Sequence, residues 1–417
     1  MPPTGGGWRT QSVNAQKEND LAPDKERYRL PAVVRGLGWV SLFTDAAGDM
    51  VYPLIAPFLR SMGAGGTALG ALEAISEGLG ALVKWRSGAW TDRSRHQKRI
   101  VVGGYALAAA VRPLLSIAAA PWQVVAIRST DRIGKGLRSA PRDAMLAGAI
   151  APEHRARAFG FHHMMDNIGA AIGPIVAFSL AHWFGFTPRR IFAFAAVPGV
   201  LALAVLIFGV EAPQAPPPAV LAPAQTTAAP PLPGSLRRYL GSLFVFTLGA
   251  SADSFLLLHL SKLGLRDELI PIAWLSLNAA KALTNVPGGR LSDRLGHKRT
   301  LVMAWTLYAA VYSLFPLMSS VAGAWGLLLV YGAYYGLSEG GEKAIVVELA
   351  PPEARGRALG AMHALSGLAI VIANLGFGFL YAMSPRAAFG ASAAAAMAGA
   401  LALLALVPPA PSPRRPG

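Results

Sequence analysis

Two pairs of carboxylates with helical spacing are the first residues in this chain that indicate chemistry. Asp45 and Asp49 lie four positions apart, and Glu73 and Glu77 repeat that spacing, so each pair shares one face of a helix. Inside an apolar segment a carboxylate is costly unless it is paired or faces water, which makes it a candidate for proton exchange or solute binding. We interpret Asp45 and Asp49 as proton carriers or solute ligands, with a static ion pair as the alternative. Glu77 joins this set, and Glu73 is expected to be exposed near the outer mouth.

A mainly basic ladder follows helical spacing in the fourth apolar segment. Its members are Arg128, Asp131, Arg132, Lys135, Arg138 and Arg142. With a rise of ~1.5 Å per residue in antiparallel helices, Asp45 and Asp49 lie about 14 to 20 Å from the cytoplasmic ends, at the depth of Arg132 and Arg128. The sequence therefore allows ion pairs between the first and fourth segments.

A third polar group opens the fifth apolar segment. His162 and Asp166 lie four positions apart, beside His163 and Met164, and therefore share a helical face. Three interpretations stay open: a proton relay or polar solute contact, simple hydrogen bonding between helices, and a transition-metal site. The metal site would complete its shell with residues of the first segment, namely Asp45, Asp49 and Met50.

The second half of the chain carries a different set of polar residues inside its apolar segments. They are Ser251, Asp253, Asn278, Lys281, Glu339, Glu342, Lys343 and His363. One wall of a central cavity would thus be mainly cationic and the other mainly anionic, which suits a zwitterionic or polar amphiphilic solute. The same charges would equally form a salt bridge that locks one conformation.

The composition indicates which elements position these residues. Hydrophobic residues make up 53% of the 417 residues, charged residues only 14%, and the mean hydropathy is +0.42, so the chain needs lipid as its solvent. Apolar runs near the ~20 residues that a crossing helix needs predict an all-α membrane protein with twelve spans. The spans are expected at residues 36–60, 68–90, 100–120, 122–146, 158–183, 190–210, 237–260, 268–289, 300–319, 323–348, 358–383 and 386–407.

Basic residues concentrate in alternate loops, which predicts the orientation of the spans. The tails and loops on one side hold about twenty Lys and Arg residues, against about five on the other, and the basic side stays cytoplasmic. We expect a bacterial-type inner (plasma) membrane protein with both termini in the cytoplasm and no cleaved signal. The net charge of +16 reflects this asymmetry and contact with anionic lipid, which argues against nucleic-acid binding.

Two motifs recur about 200 residues apart, which indicates a duplicated chain. The pattern Gly-x-x-x-Asp-Arg stands at 88–93 and again at 289–294, and segment 152–160 returns as 352–360. We expect five parts: a basic tail at 1–35, a six-helix bundle at 36–210, a Pro/Ala-rich linker at 211–236, a second six-helix bundle at 237–407 and a tail at 408–417. The chain has no cysteine, phosphate-binding loop or nucleophile elbow, so we expect neither an enzyme nor an ATP-driven pump, and no cofactor.

At these repeated motifs the chain resembles the major facilitator superfamily, over about residues 36 to 407. The resemblance implies twelve helices in two pseudo-symmetric halves that rock around a midplane site. It also implies a cytoplasmic gate, in which a carboxylate at a helix end pairs with a neighbouring arginine in one state and releases it in the other. The gate residues would be Asp92, Arg93, Asp293 and Arg294.

Two shorter motifs refine the resemblance. Gly169, Gly173 and Pro174 resemble the Gly-x-x-x-Gly-Pro motif of drug and metabolite antiporters, which favours export; close helix packing is the alternative. Arg132 and the residues after it resemble the arginine motif of the fourth span, which is linked to proton coupling, although Lys135 replaces the usual polar residue. Arg132 is therefore the first candidate for the coupling network.

The sequence thus predicts a secondary transporter, with proton-coupled export of a small polar or amphiphilic solute by alternating access. Two alternatives stay open: a transporter of a transition-metal ion or metal chelate, and a non-transporting receptor or lipid-handling protein on the same fold. The expected partners are a small-molecule solute, protons and the lipid bilayer, and the protein is expected to be a monomer that binds no nucleic acid.

Overall fold

The described chain is almost entirely helical. The computed structural model describes residues 30–93, 97–151, 154–211, 232–351 and 354–408. Twelve helical segments follow one another in these ranges: α1 (Ala32–Ser61), α2 (Gly66–Arg93), α3 (Gln97–Ile117), α4 (Pro121–Gly148), α5 (Arg155–Phe184), α6 (Pro188–Gly209), α7 (Gly234–Lys262), α8 (Ile270–Leu295), α9 (His297–Leu317), α10 (Val321–Leu349), α11 (Arg355–Met383) and α12 (Pro385–Leu406). These ranges contain no strand, and the predicted all-α, twelve-segment fold is confirmed.

Eight of the twelve segments are long and apolar enough to cross a membrane. The other four segments of the described chain are α1, α2, α4 and α8, and they carry most of the charged residues that the sequence singles out. Asp45 and Asp49 lie in α1, Glu77 in α2, Arg132 in α4 and Lys281 in α8. Charged residues inside a membrane face a bundle interior or an aqueous cavity. The charged residues of these four helices therefore mark them as helices that line a polar interior.

Helix α7 is broken in the middle. Its first part ends at Gly249 and its second begins at Ser254. Side chains of two other helices bind the backbone N–H groups that the break frees: Ser251 donates to the Tyr308 hydroxyl at 3.2 Å, and Ala252 donates to Asn374 Oδ1 at 2.9 Å. Non-helical backbone is tolerated at membrane depth only when such partners satisfy it. The break leaves Asp253 at the start of the second part, directed into the interior.

Helices of the first half meet at glycines. A Cβ atom on Gly169 or Gly173 of α5 would stand 2.3 or 2.5 Å from carbonyl oxygens of α1. A Cβ atom on Gly136 of α4 would stand 2.7 Å from the carbonyl oxygen of Gly80 in α2. Close approach of backbones at small residues is a common way for helices to associate in lipid. This close approach of the backbones fixes the position of the α4 side chains along the helix axes relative to α1 and α2.

The first six helices and the last six pair in the same order. Helix α1 packs on α5 and α6, and α2 packs on α4; correspondingly, α7 packs on α11 and α12, and α8 packs on α10. Contacts between the two sets join α2 to α11, α5 to α8 and α1 to α7. The boundaries of the two bundles and their linker stay a prediction, because residues 212–231 lie outside the described ranges.

The two sets of helices touch each other near the connection between α1 and α2. A Cβ atom on Gly70 of α2 would lie only 2.4 Å from the carbonyl oxygen of Asn374 in α11. Arg60, in the last turn of α1, donates a hydrogen bond of 2.8 Å to the carbonyl of Ser261 in α7. Residues 84–86, toward the opposite end of α2, are exposed. We name the region in which the two sets of helices touch, around Gly70 and Arg60, the closed end.

Candidate functional site

A polar cavity lies between α1, α3 and α4, with α8 on one side. It has a volume of about 240 Å³. Its lining consists of Asp45, Gly48, Asp49, Tyr52, Arg112, Arg128, Asp131, Arg132, Lys135, Arg138 and Trp274. We name it the arginine cavity. It brings together the predicted carboxylates of α1 and five members of the α4 ladder, whereas Arg142 pairs with its neighbour Asp143 at 2.9 Å.

Asp131 holds two guanidinium groups at the wall of this cavity. Arg112 Nε donates to one carboxylate oxygen at 2.8 Å, and Arg128 Nη1 donates to the other at 3.0 Å. Arg112 also donates to the backbone carbonyl of Thr44 in α1 at 2.9 Å. All three charged side chains are buried, and a buried ion pair keeps its geometry only when its remaining donors are also bound. The cluster therefore ties α3 and α4 to α1.

The expected ion pairs of Asp45 and Asp49 with Arg128 and Arg132 do not form. Arg132 Nη2 instead binds Glu77 Oε1 at 2.8 Å. The reason lies in the packing, because the backbone of Arg132 stands against Gly80, which puts its side chain next to α2 rather than α1. The guanidinium of Arg128, besides binding Asp131, lies over the Tyr52 ring at 5.0 Å from its centre.

The expectation of an exposed Glu73 is also wrong. Its residue is 3% exposed, and its Oε1 accepts a hydrogen bond of 3.3 Å from the Tyr52 hydroxyl. Glu73 of α2 thus faces Tyr52 of α1 inside the helix bundle instead of lying exposed near the outer mouth. Whether a carboxylate inside a span is exposed depends on the neighbouring helix. The residue pattern of a single helix does not predict where that neighbour lies.

The carboxylates of α1 and the ammonium of Lys135 are the least constrained charges in the arginine cavity. Asp49 Oδ1 accepts a hydrogen bond of 2.8 Å from Trp274 Nε1 of α8. The Asp45 carboxylate and the Lys135 ammonium form no hydrogen bond and no ion pair within 4.0 Å among the described residues. The charged groups that face Asp45 are Lys135 and Arg138 of α4, Arg112 of α3, and Asp166 of α5. Asp45 can therefore exchange a proton without breaking a bond inside the protein.

The polar group of α5 is held together next to this cavity by hydrogen bonds and ion-pair contacts to Asp166. His162 Nδ1 lies 3.2 Å from Asp166 Oδ1, and His163 Nδ1 lies 3.6 Å from the other oxygen. The hydroxyl of Ser41 in α1 donates to Asp166 as well. His162 is buried and its Nε2 has no hydrogen-bond partner among the described atoms. Asp166 thus links α5 to α1 at the level of the Asp45 carboxylate.

The metal-site hypothesis gains no support from the described side chains. No group of three or more His, Asp or Glu residues in that part of the chain is arranged to hold a metal ion. Met164, one of the expected ligands, is 49% exposed on the surface of α5, whereas Met50 is buried in the core. The Met164 sulfur at the surface and the Met50 sulfur in the core therefore both lie in environments that differ from that of the Asp166 carboxylate.

The second half contains a compact cluster around Asp253. Lys281 Nζ donates to Asp253 Oδ2 at 2.6 Å, and the hydroxyls of Tyr331 and Tyr335 donate to Oδ1 at 2.8 and 3.1 Å. The ammonium of Lys281 lies 3.8 Å from the centre of the Tyr335 ring and 5.4 Å from that of Trp274. We name this group the tyrosine cluster. Trp274 connects it to the arginine cavity, since the same side chain donates to Asp49.

The expected anionic wall opposite the cationic ladder is not formed. Lys281 pairs with Asp253, and Glu339 lies in a separate polar cavity of about 500 Å³ between α8 and α10, together with Lys343 and Asp293. The backbone carbonyl of Glu342 accepts a hydrogen bond of 2.9 Å from Tyr239. The second cavity lies toward the end of α8 that carries the repeated motif, and its lining begins at Asn285, one turn beyond Lys281.

The predicted gate is only partly described. Asp293 and Arg294 end α8 and are exposed, with no ion pair to a neighbouring helix among the described residues. The side chains of Asp92 and Arg93 lie outside the described part of the chain. Next to the gate, His297 Nδ1 and Ser292 Oγ are 2.7 Å apart, and His297 Nε2 lies 3.4 Å from Glu348.

Sequence reasoning missed four contributors to the site. Arg112 carried the same signal as the α4 arginines, a charged residue inside an apolar segment. Trp274 and the two tyrosines carried none, because aromatic residues in a span are ordinary core and interface residues. Their roles follow only from the tertiary contacts that bring α8 and α10 next to α1 and α7.

Comparison with known families supports the fold. The sequence model of the Major Facilitator Superfamily matches residues 37–277 and 240–417. An uncharacterized MFS-type transporter of Methanocaldococcus jannaschii is 28% identical over 400 residues, which cover 94% of this chain and 98% of that protein. The multidrug resistance protein MdtH of Salmonella paratyphi C is 34% identical over 132 residues, which cover 30% of this chain and 32% of that protein.

Solved structures share the architecture at low sequence identity. A point mutant of the nucleoside transporter NupG superposes with a TM-score of 0.74 at 14% identity, covering 89% of this chain and 99% of that chain. A bacterial homologue of the human lysosomal transporter Spinster, in an inward-facing and unoccupied conformation, gives a TM-score of 0.68 at 15% identity, covering 91% of this chain and 96% of that chain. At these identities the likeness concerns the fold alone.

Proposed function

Because this chain belongs to the Major Facilitator Superfamily and is a membrane transporter rather than an enzyme, we propose that it couples the movement of a small polar solute to protons. The observation that carries the proposal is Asp45, a carboxylate in the middle of a membrane helix that lines the arginine cavity without a hydrogen-bond or ion-pair partner among the described residues. An unpartnered carboxylate at this depth is a functional group by default, since structural charges in membranes are paired.

Asp49 supplies the connection between proton binding and movement of the halves. Its hydrogen bond from Trp274 joins α1 to α8. A hydrogen bond to an ionised carboxylate is about twice as strong as one to a neutral group, so a proton on Asp49 weakens the link between the two sets of helices. Proton binding then favours the conformation in which α1 and α8 separate, which is the differential interaction that alternating access requires.

The closed end supports the same cycle. The α2–α11 contact at Gly70 and the hydrogen bond from Arg60 to Ser261 seal one side, while Asp293 and Arg294 are exposed at the opposite end of α8. With the topology that the basic loops predict, in a bacterial-type inner membrane with cytoplasmic termini, the unsealed side faces the cytoplasm. In this proposal the gate formed by Asp92, Arg93, Asp293 and Arg294 closes that side in the alternate state.

Proton-driven export of an amphiphilic solute is the second candidate. It is favoured by the resemblance of Gly169, Gly173 and Pro174 to the antiporter motif and by the local similarity to MdtH. Both glycines pack directly on the α1 backbone beside Asp45 and Asp49. A shift of α5 along this contact would move the two carboxylates, which gives the motif a mechanical role in coupling.

Transport by purified protein in liposomes tests the proposal. The vesicles contain a pH-sensitive dye, and a panel of metabolites, antibiotics and divalent cations is screened for solute-dependent proton movement. A rise in internal pH when the solute is inside indicates that proton and solute leave the vesicle together, and a fall when the solute is inside indicates exchange of solute for protons. A response to a divalent cation alone would replace the organic solute by a metal.

Two substitutions test which residues couple solute transport to proton movement. Asp45→Asn and Asp49→Asn should each abolish solute-dependent proton movement, because an amide cannot exchange a proton. Asp143→Asn is the matched control, since Asp143 lies in α4 but pairs with Arg142 outside the cavity, and it should leave the flux unchanged. Full flux in Asp45→Asn, with normal yield of folded protein, would contradict the proposed role of Asp45.

A further inference from the structure

The residues that line the arginine cavity carry more positive than negative charge. Its cationic lining residues are Arg112, Arg128, Arg132, Lys135 and Arg138, and its carboxylates are Asp45, Asp49 and Asp131. Two further carboxylates lie at the edge: Glu77, paired with Arg132, and the buried Glu73, which faces Arg128 and Arg132. Five cationic groups thus face five carboxylates, and two of those five, Asp45 and Asp49, are the groups proposed to take up protons. The charges balance when both are ionised, and the cavity has an excess of two positive charges when both are neutral.

Several donors in this lining have no acceptor. The ammonium of Lys135 lines the cavity and has no hydrogen bond or ion pair among the described residues, although the residue is exposed. Arg128 is 7% exposed and Arg138 is 3% exposed, yet Nε of the first and Nη1 of the second lack a hydrogen-bond partner in the described chain. Arg138 is otherwise packed over the Tyr105 ring at 4.3 Å. Buried donors without acceptors are rare in folded proteins, so Nε of Arg128 and Nη1 of Arg138 each require an explanation.

We propose that the arginine cavity is the binding site of an anionic group, a carboxylate or phosphate of a small solute. The proposal rests on the proposed transport function, whose polar solute it specifies as an anion. Guanidinium and ammonium groups on one helical stripe are the usual ligands of such groups, because they supply charge and several directed N–H donors together. The stripe here is Arg128, Arg132 and Lys135, spaced four and three residues apart along α4.

The size of the cavity limits the solute. Drug-sized ligands occupy pockets of roughly 300–1,000 Å³, and the arginine cavity measures about 240 Å³. It therefore accommodates a small anion, such as a short dicarboxylate or a phosphate ester, rather than a bulky drug. The ring of Trp274 forms one side of the cavity and provides an apolar surface for the body of the solute.

The charge balance also gives the direction of coupling. A proton on Asp45 or Asp49 removes a negative charge that would repel an anion, so proton and anion strengthen each other's binding. The two therefore move in the same direction, which distinguishes this proposal from export by exchange for protons. The opposite sign would hold for a cationic solute, for which the two carboxylates are ligands.

Calorimetric titration of the purified full-length protein tests this inference without a gradient. The probes are inorganic phosphate and succinate, with choline as the cationic control, and at least one anion should bind more tightly than choline. Lys135→Ala should weaken that binding by about tenfold or more, the loss expected for a hydrogen bond to a charged group. Lys135→Arg, which keeps the charge, should retain most of it.

The decisive variant is Asp45→Asn, because the anion and cation hypotheses predict opposite signs. If the site binds an anion, loss of the nearby negative charge should tighten phosphate or succinate binding by at least about threefold. If the site binds a cation, the same change should weaken choline binding. Lys343→Ala, in the separate cavity of α8 and α10, is the matched control and should change neither affinity.

The outcomes separate this inference from the proposed function. Anion binding that depends on Lys135, without any proton flux in liposomes, would contradict proton coupling but keep the site. Proton-coupled flux of a cation, with no anion binding tighter than choline, would contradict the anion site but keep the coupling. Equal affinities of wild type and Lys135→Ala for the anions would also overturn the anion site.

Discussion

The arginine cavity and the tyrosine cluster occupy corresponding places in the two halves, but they treat charge in opposite ways. In the tyrosine cluster one carboxylate, Asp253, receives three donors, and one ammonium, Lys281, is covered by aromatic rings. In the arginine cavity the cationic groups exceed the carboxylates, and Asp45 and Lys135 have no partner in the described chain. One region is internally satisfied, while the other needs a ligand or a proton to complete it.

The repeat explains how the difference arises. Helices α4 and α10 begin at Pro121 and Val321, and at this offset of 200 residues Asp131 and Lys135 correspond to Tyr331 and Tyr335. Likewise Arg112 of α3 corresponds to Tyr312 of α9. Neutral hydroxyls thus replace charges at equivalent positions. A tyrosine donates a hydrogen bond without adding charge, which suits a static cluster, whereas the charged version attracts a mobile ion.

Aromatic packing extends the contrast to the surroundings. Trp305 lies stacked on Phe246 with ring centres 4.4 Å apart, and Tyr308 lies stacked on Tyr312 at 4.1 Å. Most of the largest fully buried aromatic side chains lie in the second half, whereas glycines bring helices into close contact in both halves. Packed aromatic cores resist rearrangement, so we expect the first half to contain the adjustable part of the site.

The largest expected effect concerns the stability of the tyrosine cluster. Lys281→Ala leaves Asp253 as a buried carboxylate without its cation, and breaking a buried ion pair in this way costs about 3–5 kcal/mol. Lys135→Ala removes a lysine that has no ion-pair partner among the described residues, and should cost less than about 1 kcal/mol. Thermal unfolding of both variants in the same detergent measures the difference. Equal losses of stability in Lys281→Ala and Lys135→Ala would show that the tyrosine cluster and the arginine cavity do not differ in how they hold their charges.

Trp274→Phe should have the next largest effect, since Trp274 is the link between the two regions. The change removes the hydrogen bond to the Asp49 carboxylate, worth about 1.5–3 kcal/mol for a charged acceptor, while most of the ring contact with Tyr52 remains. Weakening this α1–α8 contact should increase the population of the state in which the closed end opens.

Because the natural sequence contains no cysteine, a single introduced cysteine can be labelled selectively to measure how far Trp274→Phe opens the closed end. Ala74 is buried in α2 between Gly70 and Gly78, which both face α11. A single Ala74→Cys substitution should react slowly with a maleimide in the wild-type background and faster with Trp274→Phe. Ala81→Cys, at an exposed position of the same helix, should react at one rate in both backgrounds. Unchanged labelling of Ala74→Cys would mean that Trp274 does not hold the halves together.

Tyr335→Phe should have a smaller effect confined to the tyrosine cluster. It removes one of the three donors to Asp253 but keeps the ring that covers Lys281, so the expected loss of stability is about 1 kcal/mol. Because the cluster is a structural element in this comparison, anion affinity and solute-dependent flux should be unchanged. A selective loss of flux at normal stability would move Tyr335 into the transport site.

Much of this arrangement was predictable, and the failures have one cause. The helical periods, the charged residues within apolar segments and the repeat predict the twelve helices and most members of the arginine cavity. The partner of Arg132 was not predictable, because it depends on the heights at which α2 and α4 meet at Gly80 and Gly136. The burial of Glu73 was not predictable either, because it depends on the contact with Tyr52 of α1. A shift of one residue along a helix contact changes which carboxylate an arginine reaches.

The smallest expected effect concerns the Glu77–Arg132 pair at the edge of the arginine cavity. The Glu77 side chain is 41% exposed, and partly exposed ion pairs contribute only about 0–1 kcal/mol, so Glu77→Gln should barely change the unfolding temperature. Its effect on binding should be larger, because the guanidinium of Arg132 loses the carboxylate that neutralises it and becomes available to an anion. We expect phosphate or succinate to bind a few-fold more tightly by calorimetry, in the same direction as Asp45→Asn. Weaker binding would instead identify Glu77 as a ligand of the solute, and the cavity would then be a site for a cationic or zwitterionic solute.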